Sequence, residues 1–334
     1  MTKLLSQARI TSLGYYVPEQ RLTNTDMEQL VDTSHEWIVQ RTGIVERRKS
    51  NEHQYTSDLS IRAVQNLIDR FQKQVDDVDF ILVCTITPDY GFPSVAARVQ
   101  AHFGISRCGT LDINAVCAGF AYGLHLANSL ITSGLHNKVL VIGAETLTKI
   151  TDYTDRTTCI LFGDGAGAAL VERDAQHPSF ISAVQGTKGE GGKHVYLSGL
   201  SQTIDGQPMN SPNKMWQNGR EVYRWATTTV SEGIQALVQQ ADFSLEKINW
   251  IVPHSANQRI LESISERIDV PIERFLSSIE YYGNTSTASI PLAIQVGLEQ
   301  GKLQNGDHLI LFGFGGGLTY AGLLIQWNLD PETT

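Results

Sequence analysis

The chain has 334 residues, enough for two domains, and its 41% hydrophobic and 18% charged content is that of a globular rather than a disordered protein. A net charge of −9 argues against general nucleic-acid binding, which rests on neutralising phosphates with Lys and Arg. No apolar run reaches the roughly 18–20 residues of a membrane span, and the opening MTKLLSQARITSLG lacks the apolar stretch of a signal peptide, so a cytoplasmic protein is expected.

In chain order, residues 57–70 place Leu59, Ala63, Val64, Leu67 and Ile68 at helical spacing. Residues 79–84 and 138–143 are short apolar runs of the kind that form buried strands. Between them, DINAVCAGFAYG (112–123) predicts a strand ending near Asn114 and a helix opening near Cys117. That helix, 118–133, is small and apolar on several sides, which suits a central position. Residues 185–220 are rich in Gly, Ser, Asn and Pro and read as a loop able to line or cover a pocket. Cys84, Cys108, Cys117 and Cys159 form no C-x-x-C pair, so neither a zinc site nor a disulfide framework is expected. Cys84 and Cys159 lie in apolar segments and read as buried thiols.

A shift of 170 residues aligns the chain with itself. The helix around Ala63, Val64 and Leu67 falls on Gly233, Ile234 and Leu237, and the strand 79–84 falls on 249–254. The segment around Cys117 falls near Thr287, and the strand 138–143 falls on 308–313. Four elements in one register predict an internal duplication. Residues 146–160 have no counterpart, and the second copy is expected to end soon after GFGGG. Alternating helices and strands predict an α/β protein with parallel or mixed sheets. The copies should meet at a pseudo-twofold, the first supplying a nucleophile and the second a base, because Cys84 is equivalent to His254 and Cys117 to Thr287.

Four segments carry chemistry. A cysteine at a helix N-terminus, Cys117, feels the positive end of the macrodipole, which favours thiolate. Otherwise it is a buried structural thiol. His254 follows a strand directly, where α/β sheets place ligands, and its imidazole is suited to acid–base work near neutrality. Asn284 sits in a Gly-Asn turn ahead of a helix; plain turn chemistry is the alternative. The triple glycine of LFGFGGGLTY (311–320) exposes backbone N–H groups that can serve an oxyanion hole, or it is a tight strand-to-strand turn. FGDGAGAA (162–169) reads as close packing, and neither segment completes G-x-G-x-x-G, so no dinucleotide site is supported.

Together these segments resemble the thiolase-fold condensing enzymes, most closely the β-ketoacyl-acyl-carrier-protein synthases III. The resemblance runs through DTSHEWIVQRTGI (32–44), NAVCAGF (114–120), TDRTTCILFGDGAGAA (154–169), QNGREVY (217–223), VPHSANQRI (252–260), YYGNTSTASIP (281–291) and FGFGGG (312–317), nearly the whole chain. It implies a thiolase-like fold with duplicated halves in a five-layered αβαβα arrangement, residues 1–180 carrying the nucleophile and a CoA-binding insertion and 181–334 the His and Asn. The implied reaction condenses a short acyl-CoA starter, branched chains included, with malonyl-acyl-carrier protein to give 3-oxoacyl-acyl-carrier protein, CoA and CO2, initiating fatty-acid synthesis. Cys117 would carry the acyl group, and the N–H groups of Cys117 and Gly316 would form the oxyanion hole. His254 and Asn284 would stabilise the enolate. Thr33, Trp37, Arg156 and Asn257 would bind CoA, with Trp37 and Arg156 sandwiching adenine. Phe92 would close the acyl pocket of a homodimer partner, and Arg259 would dock the carrier protein, with Arg41, Arg220, Arg224 and Arg267 as weaker candidates. Acyl-CoA would be a substrate; no cofactor, metal, nucleic acid or membrane is implied. Ser255 stands where the family often has Gln, and Glu266 and Arg267 stand where some members have a Lys pair, which weakens a full basic docking patch. The wording of NAVCAGF, DYTDRTTC and GFGGGLTY looks most like the Gram-positive members that tolerate branched starters.

Three rivals have a place. A papain-like hydrolase shares the order Cys, His, Asn, and the 137-residue separation of Cys117 from His254 suits it, but the signature C-G-[SA]-C-[WY] is missing. A condensing enzyme of specialised metabolism could take other thioesters. A non-enzymatic scaffold would not need all three polar site residues.

Overall fold

The computed structural model describes residues 4–210 and 213–332. The first sheet has five strands in the order Ala8–Tyr16, Asp164–Arg173, Lys138–Thr146, Phe80–Cys84 and Gly109–Ile113. The second has four, in the order Phe180–Thr187, Thr319–Gln326, His308–Gly315 and Trp250–Pro253. In both, the two strands at one end pair antiparallel and the strands beyond the centre pair parallel. Where the first sheet has its fifth strand, the second has a single parallel bridge between Ile251 and Phe275.

Helices cover both sheets and separate them. Thr56–Phe71 buries Leu59, Ala63, Val64 and Leu67 against the outer face of the first sheet. Gly219–Gln240 and Gln258–Ile268 do the same for the second through Val230, Ile234, Leu261 and Ile264. Between the sheets lie Gly119–Thr132 and Ser289–Glu299, whose Phe120, Leu124, Ile290 and Ile294 join residues of both sheets in one core. These are five layers, αβαβα. The strand Lys138–Thr146 is buried at all nine positions, as a central strand covered on both faces must be. Each fully buried Leu or Ile here contributes about 1.5–3 kcal/mol, so the inner helices are fixed by burial rather than by caps, and neither has a side-chain cap.

The 170-residue register survives in backbone detail. The 3₁₀ turns Val116–Ala118 and Ser286–Ala288 occupy equivalent positions, and so do the left-handed residues Val116 (φ 48°) and Ser286 (φ 50°), and Gln72 (φ 49°) and Asp242 (φ 53°). Two expectations need correction. The second copy does not end after GFGGG: the strand Thr319–Gln326 follows and takes the sheet position of Asp164–Arg173, with the unmatched 146–160 segment accounting for the changed offset. The region 185–220 is not a plain loop. It holds a 3₁₀ helix, Gly189–His194, and the paired short strands Val195–Leu197 and Met215–Gln217.

Candidate active site

The candidate nucleophile's position follows from a forced bend. The strand Gly109–Ile113 ends, Val116 turns the chain at φ 48°, and Cys117 sits inside the 3₁₀ turn, two residues before the helix Gly119–Thr132. A β-branched residue in this region is strained, a cost that structures hold chiefly at working sites. The bend fits because glycines lie opposite it. A Cβ on Gly315 would stand 2.9 Å from Cys117 Cβ and 3.1 Å from its Sγ, and one on Gly313 would stand 2.7 Å from Ala118 Cα. The equivalent Gly143 receives Thr287 in the same way, at 2.7 Å from its carbonyl oxygen. Each half's central strand therefore cradles the other half's turn. The thiolate expected at a helix N-terminus is opposed by burial. Burial pushes Cys117 up to about 12, with Ser286 lowering and Glu145 raising it by less.

His254 continues the strand Trp250–Pro253, its N–H donating to the Phe312 carbonyl at 2.8 Å. The ring meets Phe314 edge-on at 5.2 Å, and its Nδ1 shares a 2.7 Å hydrogen bond with Ser289 Oγ. Burial pushes the imidazole down to about 3, so it is neutral at physiological pH. Asn284 follows Gly283 (φ 66°), and its backbone is clamped by Asn284 N to Leu161 O at 2.8 Å and by Gly163 N to Asn284 O at 3.0 Å. Its Oδ1 accepts from the Ser286 N–H at 2.9 Å. That bond fixes the amide's orientation and leaves the NH2 end as the free donor.

Cys117, His254, Asn284 and Gly316 line one narrow cavity of about 50 Å³, with Ile86, Leu147, Phe162 and Met215 among its apolar walls. A neighbouring cavity of about 280 Å³ shares Ile86, Val116, Val195, Met215 and Gly316. The short strands of the 185–220 region thus supply walls through Val195 and Met215. A larger cleft of about 680 Å³, lined by residues of both charges such as Lys188, Glu190 and Arg224, holds none of the candidate catalytic residues. The triple glycine is also a tight turn, joining the antiparallel strands His308–Gly315 and Thr319–Gln326. The glycines of FGDGAGAA are packing glycines: Cβ atoms on Gly163 and Gly167 would meet Tyr282 and Pro291 at 2.2 and 2.3 Å.

Thr33, Trp37, Arg41, Arg156, Asn257 and Arg259 gather around the helix His35–Thr42, whereas Arg220 and Arg224 lie on the helix Gly219–Gln240 and Arg267 in the last turn of Gln258–Ile268, beside Thr228. Arg156 and Arg41 lie 5.4 and 5.6 Å from the Trp37 ring centre. Arg156 also donates to the Asp32 carbonyl at 3.0 Å and pairs with its carboxylate at 3.4 Å, so it is held by an ion pair as well. The Thr33 hydroxyl oxygen is buried with no partner. Asn257 caps the helix Gln258–Ile268, its side chain accepting from the Arg259 N–H, and Arg259 Nε donates to the Gln40 carbonyl at 3.2 Å. Phe92 is 89% exposed and does not line its own chain's cavity. Sequence reasoning missed Ser286, Ser289 and Glu145. The two serines lie inside YYGNTSTASIP, and Glu145 lies one residue before the end of a strand as His254 follows one, which was the available signal.

Five layers of this topology, with a cysteine bend facing a histidine and an asparagine across a duplicated seam, define a thiolase-like condensing enzyme. Residues 111–189 match the model of 3-oxoacyl-[acyl-carrier-protein (ACP)] synthase III, and residues 238–327 match that of its C-terminal part. The chain is 58% identical over 325 residues to β-ketoacyl-[acyl-carrier-protein] synthase III 2 of Bacillus subtilis, covering 97% of this chain and 100% of that one. It is 54% identical to the protein of the same name from Halalkalibacterium halodurans, over 98% and 99% of the two chains. The crystal structure of the β-ketoacyl-[acyl carrier protein] synthase III of Thermus thermophilus superposes with a TM-score of 0.91 at 42% identity, covering 96% and 99%. The chain belongs to the β-ketoacyl-[acyl-carrier-protein] synthase III family and is an acyltransferase of the condensing type.

Proposed function

We propose that this enzyme starts fatty-acid synthesis by condensing a short acyl-CoA, branched chains included, with malonyl-acyl-carrier protein. One observation carries the residue roles: Cys117, His254, Asn284 and Gly316 share one cavity, with the Asn284 amide held so that its NH2 end is free. Cys117 takes the acyl group while the N–H groups of Cys117 and Gly316 bear the oxyanion. The malonyl thioester then enters, and negative charge grows on its oxygen as CO2 leaves. His254 and Asn284 meet that charge with one N–H each. A neutral imidazole donates from Nε2 only if Nδ1 is unprotonated, the tautomer that Ser289 Oγ, 2.7 Å from Nδ1, holds when its proton turns to the ring from the Ser286 carbonyl, also 2.7 Å away. The carbanion attacks the acyl-Cys117 thioester, and the 3-oxoacyl product leaves on the carrier protein.

In this reading residues 1–180 supply the nucleophile and, through 146–160, the CoA-binding insertion, and 181–334 supply His254 and Asn284. Trp37 and Arg156 hold the adenine, Thr33 and Asn257 make nearby CoA contacts, and Arg259 meets the carrier protein. The enzyme works in the cytoplasm as a homodimer, each Phe92 closing the partner subunit's acyl pocket; no helix among the described residues is long and apolar enough to cross a membrane. Acyl-CoA is a substrate, and the chemistry needs no further cofactor. A papain-like role is disfavoured because Asn284 Oδ1 bonds Ser286, while Ser289 holds the imidazole. The test is incubation with labelled acetyl-, isobutyryl- and isovaleryl-CoA, followed by peptide mapping and addition of malonyl carrier protein. Label on Cys117 and release of CO2 with 3-oxoacyl product are expected, and label elsewhere or hydrolysis without CO2 would overturn the reading.

A further inference from the structure

Glu145 is a buried acid that this mechanism leaves unused. It lies near the end of the strand Lys138–Thr146, fully buried. Its carboxylate accepts from Thr87 Oγ1 at 2.6 Å, Thr85 Oγ1 at 3.1 Å and the Ile86 N–H at 3.1 Å. These partners are all neutral, and burying a carboxylate with no cation against it is costly. The titratable groups that face it are the Cys84 thiol, from the adjacent strand Phe80–Cys84, and the Cys117 thiol of the same half. Between Glu145 and Cys117 stands Ser286. It lines the same cavity as Cys117 and as Ile86, whose N–H binds Glu145, and its hydroxyl oxygen is buried without a hydrogen-bond partner, in reach of both acids. Ser286 holds a left-handed backbone at φ 50°, the counterpart of Val116 on the other side of the seam.

We propose that Glu145, acting through the Ser286 hydroxyl, holds the proton that Cys117 gives up during acylation. The proposal rests on Cys117 being the acyl-carrying thiol. As sulfur attacks the thioester carbonyl, the S–H bond breaks and its proton passes to Ser286 Oγ, which passes its own to the Glu145 carboxylate. The new S–C bond forms, the C–S bond to CoA breaks, and the departing thiolate takes the proton back by the same path. The net change is acyl-CoA and thiol to acyl-cysteine and CoA, with Glu145 and Ser286 unchanged. Glu145 is a positioning residue, since it touches neither substrate.

Electrostatics favour this path. A charged Glu145 raises the Cys117 thiol, so two negative charges there oppose one another, and a proton arriving on Glu145 removes one as the other forms. Burial raises the Glu145 carboxyl to about 7, where it can both take and return a proton near neutrality. His254, pushed down to about 3, is a poor base by comparison.

The test is single-turnover acylation of the intact enzyme by radiolabelled acetyl-CoA between pH 5.5 and 9, for wild type, Glu145→Gln and Ser286→Ala, with thermal melts to confirm folding. Wild-type loading should rise and level off near pH 7. Both variants should load at least about 10-fold more slowly at pH 7, and their rates should keep climbing with hydroxide. Variant profiles parallel to wild type, or faster loading by Glu145→Gln as expected of a carboxylate that only repels the thiolate, would overturn the proposal. Should Glu145→Gln fail to fold, the Ser286→Ala profile decides by the same criterion. Absence of label on wild-type Cys117 would instead overturn the function proposed above, and this inference with it.

Discussion

At the scale of single residues, the site works by holding small groups in one orientation. Ser289 has one hydroxyl proton and two acceptors in reach, His254 Nδ1 and the Ser286 carbonyl, each at 2.7 Å. Giving the proton to Nδ1 leaves Nε2 as the donor that the role proposed for His254 in decarboxylation requires. Ser289→Ala should therefore slow CO2 release from malonyl carrier protein by about 10-fold or more while leaving acyl loading of Cys117 within about threefold, measured as separate half-reactions. Loading and decarboxylation falling together would show that Ser289 only supports the fold. The neutral imidazole also affects stability. Its folded pKa, about 3, lies below the ordinary 6.5, so the unfolded chain binds more protons between these values. Stability from this group is complete above pH 6.5 and is lost as pH falls toward 3. A His254→Gln variant should show a shallower loss of Tm across that window than the wild type, and equal slopes would contradict the assignment.

At the scale of elements, most of the plan was legible in the sequence. The 170-residue shift found the helix Thr56–Phe71 and its partner, both central strands and the equivalence of the Cys117 and Thr287 turns, because apolar periodicity survives duplication. Two features escaped it. The strand Thr319–Gln326 lost register because the first copy carries the extra 146–160 segment, and a fixed offset cannot follow an insertion. Glu145 and Ser286 escaped because neither stands out locally; only the crossing of the two halves puts a strand-end carboxylate beside the opposite turn. The helix Gln258–Ile268 bears on docking. Arg259 is exposed and anchored to the Gln40 carbonyl, which ties it to the helix carrying Trp37. Arg259→Glu should raise the KM for malonyl carrier protein about 10-fold and change acyl-CoA loading little. Equal damage to both steps would remove Arg259 from the docking surface.

At the scale of the molecule, a chain of net charge −9 gains little long-range steering toward an acidic partner and must rely on local patches. The exposed Phe92 fits a role outside its own chain. Sedimentation should give a homodimer at micromolar concentration. A fully active monomer would show that Phe92 gates nothing.

The division of labour across the seam is the central claim, and two half-reactions measured on two variants test it most directly. Removing one donor to a developing oxyanion typically costs on the order of 100- to 1000-fold. Cys117→Ala should lose acyl transfer yet still release CO2 slowly from malonyl carrier protein. Asn284→Ala should still take label from acyl-CoA onto Cys117 but lose CO2 release by about that factor. Loss of acylation in Asn284→Ala with decarboxylation intact would contradict the account.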